Sequence, residues 1–407
     1  MRARTARIVL GLGLIAASVP GALLGAGGST AAAATSQAPV APGGVALTWT
    51  PAYMSSNQSY TKRQAVALAR RFNLVAGMPV SFKRYAGAMR AANPRLTLLA
   101  YANATLASPE QVKGVPEREF AHDRNGRRIK ATGFGAYLME PANAGWRSRA
   151  THQCASRAVG FDGCLVDMLT LGIFSKNFVS ALPVVPGTHS VYTQPQYQKR
   201  LIAFGKQYQT ANPNLEHVFN AVENSYRYWQ AATPSRPEVL GLPSAQMEDF
   251  LRGARNPVKA FPTRADWLRN VRVITDLESH HVTGLFSTKL WVSATNAQVA
   301  RWERYAMSTF LMGANGHSYF AFTRSRDKAG VRGTTLPYRM PRSIGAPLAA
   351  MHAVGAAYER AFAHGLAVTN PTRSTVTVPL GAAYTRLDGR TVTSLRLGPH
   401  DGQVLTR

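Results

Sequence analysis

Two hydrophobic periods alternate along this chain. Short strand-like runs recur at 44–50 (GVALTWT), 73–77, 96–103 (LTLLAYAN), 160–169 (GFDGCLVDML), 215–220, 244–250 (SAQMEDF), 284–293 and 317–323 (HSYFAFT), and the one at 160–169 is nearly uninterrupted in apolar residues, as expected of a strand buried on both faces. Between them stand segments at helical spacing: 61–72 behind a threonine N-cap, 81–93 stopped by Pro94, 146–159, 194–212 closed by Pro213, 263–279 and 296–312. Strand and helix therefore alternate, which favours a parallel sheet. Eight such units in about 280 residues predict an α/β fold, a (β/α)8 TIM barrel. A doubly wound open sheet is the alternative, but no GxGxxG turn follows the first strand.

Two stretches break the rhythm. Residues 105–145 form a long polar excursion containing His122-Asp123-Arg124-Asn125-Gly126, the composition of a solvent-facing turn or hairpin. After a helix expected over 345–362, the chain becomes rich in Thr and Val, with polar and apolar residues alternating around Asn370-Pro371, Asp388-Gly389 and Asp401-Gly402. This predicts a barrel over 44–362 and a small C-terminal antiparallel β-domain over 363–407.

Composition changes the picture at the N-terminus first. Arg2, Arg4 and Arg7 precede an apolar segment from Ile8 to Leu24 and small residues ending Ala32-Ala33-Ala34, so residues 1–34 read as a secretory signal and 35–43 as a linker. No other segment reaches ~20 uninterrupted apolar residues, and the mature protein is expected to be a soluble, secreted monomer with no membrane span. The formal charge of +27 falls to +24 once the three signal arginines are set aside. Such a surface suits anionic polymers. The basic residues are dispersed and no nucleic-acid-binding signature occurs, which argues against a specific nucleic-acid partner. The two cysteines, Cys154 and Cys164, permit one disulfide in an exported protein, or stand as two buried apolar side chains.

Candidate chemistry gathers where the strands end. Trp49, Tyr101, Asn103, Asp167, Asn220, Glu248, Trp291 and Tyr319 all fall near predicted C-terminal strand ends. Aromatic rings stack on the apolar faces of pyranoses, and carboxylates and amides take hydroxyls, so this set points to carbohydrate. Asp167 and Glu248 stand on the fourth and sixth strands, which contribute inward side chains to the same layers. Glycosidic hydrolysis needs such a pair: Asp167 as nucleophile and Glu248 as acid/base. Glu223, Asp249 and Glu140 compete. Asp249 is expected on the face opposite Glu248, and Glu140, in the excursion, is expected to reach over the mouth to bind sugar. His280-His281 are adjacent, and no HExxH, CxxC, P-loop or GxSxG occurs, so neither a metal nor a cofactor is expected.

The series TWT, YAN, GFDGCLVDML, FNAVEN, QMEDF and ANGHSYFAF, followed by LAVTNPTRSTVTVPL and a terminal LGPHDGQVLTR, resembles the TIM-barrel proteins grouped as hypothetical glycosyl hydrolase family 15. It is also distantly similar to exported α-galactosaminidase barrels. The resemblance implies acids at the ends of strands four and six, which fall on Asp167 and Glu248, and a C-terminal β-sandwich. The expected function is a secreted, retaining glycoside hydrolase acting on a polysaccharide, an amino-sugar or anionic polymer. The alternative is a non-catalytic barrel that binds wall or extracellular polysaccharide through the same mouth.

Overall fold

The computed structural model describes residues 45–51, 61–169, 178–230, 234–325, 333–335 and 342–407. The signal segment and the linker lie outside them. Eight parallel strands follow in chain order: β1 (Trp49–Pro51), β2 (Leu74–Met78), β3 (Thr97–Asn103), β4 (Gly163–Asp167), β5 (Glu216–Val222), β6 (Ser244–Met247), β7 (Thr283–Leu290) and β8 (Tyr319–Ser325). Ahead of β1, Thr48 pairs in parallel with Phe320 of β8, and the Phe320 N–H donates to Leu47 O at 3.0 Å, so the sheet nearly closes into a barrel. A short strand β9 (Gly333–Thr335) pairs antiparallel with β8.

The helices α1 (Lys62–Arg71), α2 (Ala86–Ala92), α3 (Ala144–Ala158), α4 (Gln194–Ala211), α5 (Ser225–Trp229), α6 (Arg236–Val239), α7 (Arg264–Ser279) and α8 (Asn296–Gly313) connect these strands. Three of them start from the same four-residue signal, in which a threonine and a glutamine three positions on cap each other's backbone: Thr61/Gln64, Thr193/Gln196 and Thr295/Gln298. Among the described residues no helix is long and apolar enough to cross a membrane.

Strand alternation sorts the side chains into two cores. Leu47, Trp49, Leu74, Leu99, Leu165, Val218, Leu285, Tyr319 and Ala321 fill the barrel interior, while Cys164, Val166, Phe219 and Phe286 face the surrounding helices. The outward Cys164 meets Cys154 on α3, with Cα atoms 6.1 Å apart, and the two are joined as a disulfide. Gly163 is the only residue type that fits its place, because a Cβ there would stand 1.9 Å from Glu216 O on the neighbouring strand.

The helix expected over 345–362 is not formed. Those residues supply β10 (His352–Val354) and β11 (Ala357–Phe362), joined through Gly355 at φ +59°, and continue into β12 (Gly365–Asn370), β13 (Val376–Arg386), β14 (Thr391–Leu397) and β15 (Asp401–Thr406). The alanine content suits a helix, but Pro347 and the two-residue turn at Gly355-Ala356 favour a hairpin, and the neighbouring strands supply the partners. The six strands make one antiparallel sheet, in the order β10-β11-β12-β15-β13-β14, around its own small core of Leu366, Val378, Leu395 and Leu405. It docks on α8. The Thr369 hydroxyl donates to Ser308 Oγ at 2.8 Å, the Arg304 guanidinium donates twice to Asp401, and Arg360 caps the helix by donating to Leu311 O and Ala314 O.

Candidate active site

One alternation above the barrel's apolar layer, the inward side chains turn polar. Tyr101 follows Leu99, Asp167 follows Leu165, Asn220 follows Val218, and Ser287 and Lys289 follow Leu285. The register aligns them, since Asn103 pairs with Asp167 and Asn220 with Gln246. Between Asn220 and Val222 the β5–β6 pairing slips by a bulge, a local change of twist at the mouth.

Asp167 is held by three donors. The Tyr101 hydroxyl donates to Oδ2 at 2.7 Å, and Asn220 Nδ2 and the Met168 N–H each donate to Oδ1 at 2.8 Å. Burial pushes the Asp167 carboxyl up from its ordinary range and the charge of Glu248 pushes it further, while the three donors pull it back. The Tyr101 phenol, buried and beside this carboxylate, is raised well above its usual value and stays a donor. Asn103 orients it in turn, donating to the Tyr101 oxygen at 3.1 Å and accepting from the Leu106 N–H at 2.8 Å.

Glu248 lies one residue beyond β6, in a turn rather than in the strand expected to run to Phe250. That changes the expectation for Asp249. Instead of pointing to the opposite face, Asp249 Oδ1 comes within 3.5 Å of the same Lys289 Nζ that donates to Glu248 Oε2 at 2.9 Å. The Lys289 side chain is only 6% exposed, so it neutralises charge inside the wall rather than at the surface. Gln246 Nε2 also approaches Glu248 Oε1, at 3.4 Å.

Glu223, just past β5, adds a fourth carboxyl. Burial pushes it up to about 7, with Arg227 opposing and Asp249 reinforcing the shift. Its Oε2 is buried without a hydrogen bond and lies 3.5 Å from Arg227 Nε. The carbonyl oxygens of the buried Asn220 and Gln246 are likewise free of hydrogen-bond partners.

Both carboxylate-bearing strand ends leave through a strained residue. Met168, directly after Asp167, has φ +55°, and Leu251, three residues after Glu248, has φ +66°. Left-handed backbone is costly for these side chains and persists only where the surroundings hold it. Here the Thr105 hydroxyl donates to Met168 O at 2.7 Å and the Leu251 N–H donates to Asn270 Oδ1 at 3.1 Å.

The other expected sugar contacts divide. Trp291 stands beside the ion-paired lysine, its ring 5.1 Å from Lys289 Nζ and its indole N–H donating to Thr323 Oγ1 at 3.0 Å. Trp49 and Tyr319 form the floor. Trp49 is fully buried and donates to Phe286 O at 3.1 Å, and both belong to the apolar layer beneath the carboxylates. Glu140 is buried and braces the long excursion, its Oε1 accepting from the Tyr192 hydroxyl at 2.8 Å and the Ala142 N–H at 2.9 Å. Sequence reading passed over Lys289, although a lone charge at an inward position of the apolar run TGLFSTKLW signals a buried ion pair.

A near-closed eight-stranded barrel with carboxylates gathered at the C-terminal mouth is the frame of glycoside hydrolase barrels. The chain belongs to hypothetical glycosyl hydrolase family 15, whose model matches residues 90–366. Among solved structures it is similar to a MutB mutant in complex with the substrate sucrose, at 10% identity and a TM-score of 0.52, over 90% of this chain and 100% of that one. It is also similar to the glycoside hydrolase domain of PelA from Pseudomonas aeruginosa, at 12% identity and a TM-score of 0.42, over 71% and 97% of the two chains. A third is the maltogenic α-amylase AmyB from Thermotoga neapolitana, at 10% identity and a TM-score of 0.49, over 89% and 99%. At 10% identity the likeness to the MutB mutant is one of fold. No curated protein matches the chain in sequence.

Proposed function

We propose that this protein is a secreted glycoside hydrolase that cleaves a polysaccharide with retention, using Asp167 as nucleophile and Glu248 as acid/base. The observation that carries the proposal is the Asp167 carboxylate at the mouth, fixed by the Tyr101 hydroxyl, Asn220 and the Met168 N–H, with Glu248 standing just past the end of β6. Three donors favour the ionised form, which a nucleophile needs, and leave the carboxylate little freedom to turn. Attack on the anomeric carbon would form a bond to an Asp167 oxygen while Glu248 protonates the departing glycosidic oxygen. Glu248, now a carboxylate, would then take a proton from the water that releases the sugar.

Carboxyls outnumber cations at the mouth, with Asp167, Glu223, Glu248 and Asp249 against Lys289, Arg227 and Arg252. That balance favours a neutral or amino sugar in the site, and the basic exterior favours an anionic polymer around it. The Lys289–Glu248 ion pair supports a second reading, a barrel that binds polysaccharide without cleaving it, because an acid/base must carry a proton and Glu248 Oε2 instead accepts from the Lys289 ammonium at 2.9 Å.

The Glu248→Gln variant separates the two. Retention in polyacrylamide gels containing chitosan, polygalacturonate or dextran reports binding, and reducing-end release reports turnover. The enzyme reading expects the variant to lose turnover and keep gel retention. If wild-type protein is retained but releases no reducing ends from any of the three, the binding reading takes its place.

A further inference from the structure

The segment that carries Glu248 runs from β6 to α7, and the C-terminal sheet grips its far end. Phe261 is sandwiched there. On one face its ring stacks on Trp302 of α8, at 4.0 Å between centroids and 6° between planes, and on the other it stacks on His400, at 4.7 Å and 3°. His400 comes from the turn before β15 and holds a left-handed backbone, φ +47°, that a non-glycine residue adopts only where its surroundings enforce it. Those surroundings are explicit: the His400 N–H donates to Thr372 O at 3.0 Å, Arg301 Nε donates to His400 O at 3.2 Å, and Arg301 also donates to Pro399 O. Burial, then the neighbouring Arg301 and Arg373 charges, pushes the imidazole below its ordinary range, so the ring stacks as a neutral aromatic.

The stack reaches back toward the carboxylates. The Trp302 indole N–H donates to Val258 O at 2.8 Å, fixing the middle of the segment, and the guanidinium of the buried Arg252 lies 4.8 Å from the Trp302 ring centroid. Arg252 in turn interacts electrostatically with Asp249, the neighbour of Glu248 on the Lys289 ammonium.

We propose that His400 is a positioning residue: the C-terminal sheet inserts its ring to complete a three-ring stack with Phe261 and Trp302, and that stack fixes the 248–263 segment so that Glu248 is held at the barrel mouth. The proposal deepens the reading of Glu248 as acid/base and rests on it for its catalytic meaning. It gives the sheet a task beyond covering α8.

Hydrogen exchange read by mass spectrometry tests this on the whole protein without substrate. In His400→Ala, amides within 248–263 should exchange at least about tenfold faster than in wild type, while those of β3 and β4 keep their rates. In His400→Phe, which restores a flat ring, protection should return. If His400→Ala fails to fold, His400→Leu, with bulk but no flat ring, takes its place with the same expectation. Unchanged exchange in 248–263, equal loosening of β3 and β4, or no recovery in His400→Phe would overturn the positioning role. Should Glu248 prove not to be the acid/base, the exchange result still stands or falls by itself, because turnover does not enter it.

Discussion

The ammonium of Lys289 lies 2.9 Å from Glu248 Oε2 and 3.5 Å from Asp249 Oδ1, so one buried cation on β7 organises two acids that leave β6 side by side. A carboxylate paired this closely gives up its charge reluctantly. Since the proposed role of Glu248 begins with a proton on it, Lys289 limits how high in pH the free protein can hold that proton.

Replacing Lys289 with methionine should therefore move the alkaline limb of the kcat/KM profile upward by roughly one to three pH units, the usual effect of an opposite charge at this range. Breaking a buried pair from one side also costs about 3–5 kcal/mol of stability. A pH–rate profile alongside thermal unfolding measures both. An unmoved alkaline limb in a folded variant would separate Lys289 from the chemistry.

Tyr101→Phe removes one of the three donors to Asp167. Its loss should raise the Asp167 carboxyl further, move the acid limb of kcat/KM upward and reduce kcat/KM by roughly 10- to 100-fold, as for a hydrogen bond to a charged group. Asn103→Ala should act in the same direction but more weakly, because Asn103 reaches Asp167 only through the Tyr101 hydroxyl. A Tyr101→Phe profile that matches wild type would contradict this ordering.

The strand count, the parallel order and the threonine cap of the first helix could be read from the chain because each rests on a local pattern, such as the run LTLLAYAN, whereas a cysteine on an outward strand face left the disulfide open until the 6.1 Å approach of Cys154 and Cys164 decided it. The 345–362 segment defeated that approach because its alanines favour a helix while Gly355 and the adjacent strands impose a hairpin, a contest decided by tertiary pairing. Asp167 followed from period-two alternation on a regular strand, and Tyr101 from its place near the end of another. Asp249 did not, since β6 ends at Met247 and alternation carries no information in the turn beyond. Lys289 was missed for a different reason: a lysine in a strand is usually surface, and the apolar run around it, which signals the opposite, was read only as a strand.

Glu216 and Glu223 are both pushed up to about 7, chiefly by burial, against an ordinary value of 4.5. In that window the unfolded chain ionises while the folded one keeps its protons, so stability falls as pH rises from about 4.5 to about 7. Glu216→Gln and Glu223→Gln should each raise the melting temperature relative to wild type at pH 8 and leave it nearly unchanged near pH 4. For Glu223→Gln, retained activity marks the residue as a bystander, and a loss as deep as that of Glu248→Gln would move the proton-donor role to it.

The Cys154–Cys164 bond ties α3 to β4 across a ten-residue separation. Replacing both cysteines with alanine should cost about 2–3 kcal/mol on the loop-entropy model, read as a lower urea midpoint, without altering the pH profile. An unchanged midpoint would mean that packing alone holds the pair.

Azide rescue of Asp167→Gly tests the central claim most directly. With a polysaccharide that the wild type cleaves, the variant alone should release almost no reducing ends. Added azide, occupying the space of the missing carboxylate, should restore turnover and yield a glycosyl azide whose anomeric configuration is opposite to that of the substrate. Full activity of Asp167→Gly without azide, or a first wild-type product of inverted configuration, would contradict Asp167 as the nucleophile of a retaining glycosidase.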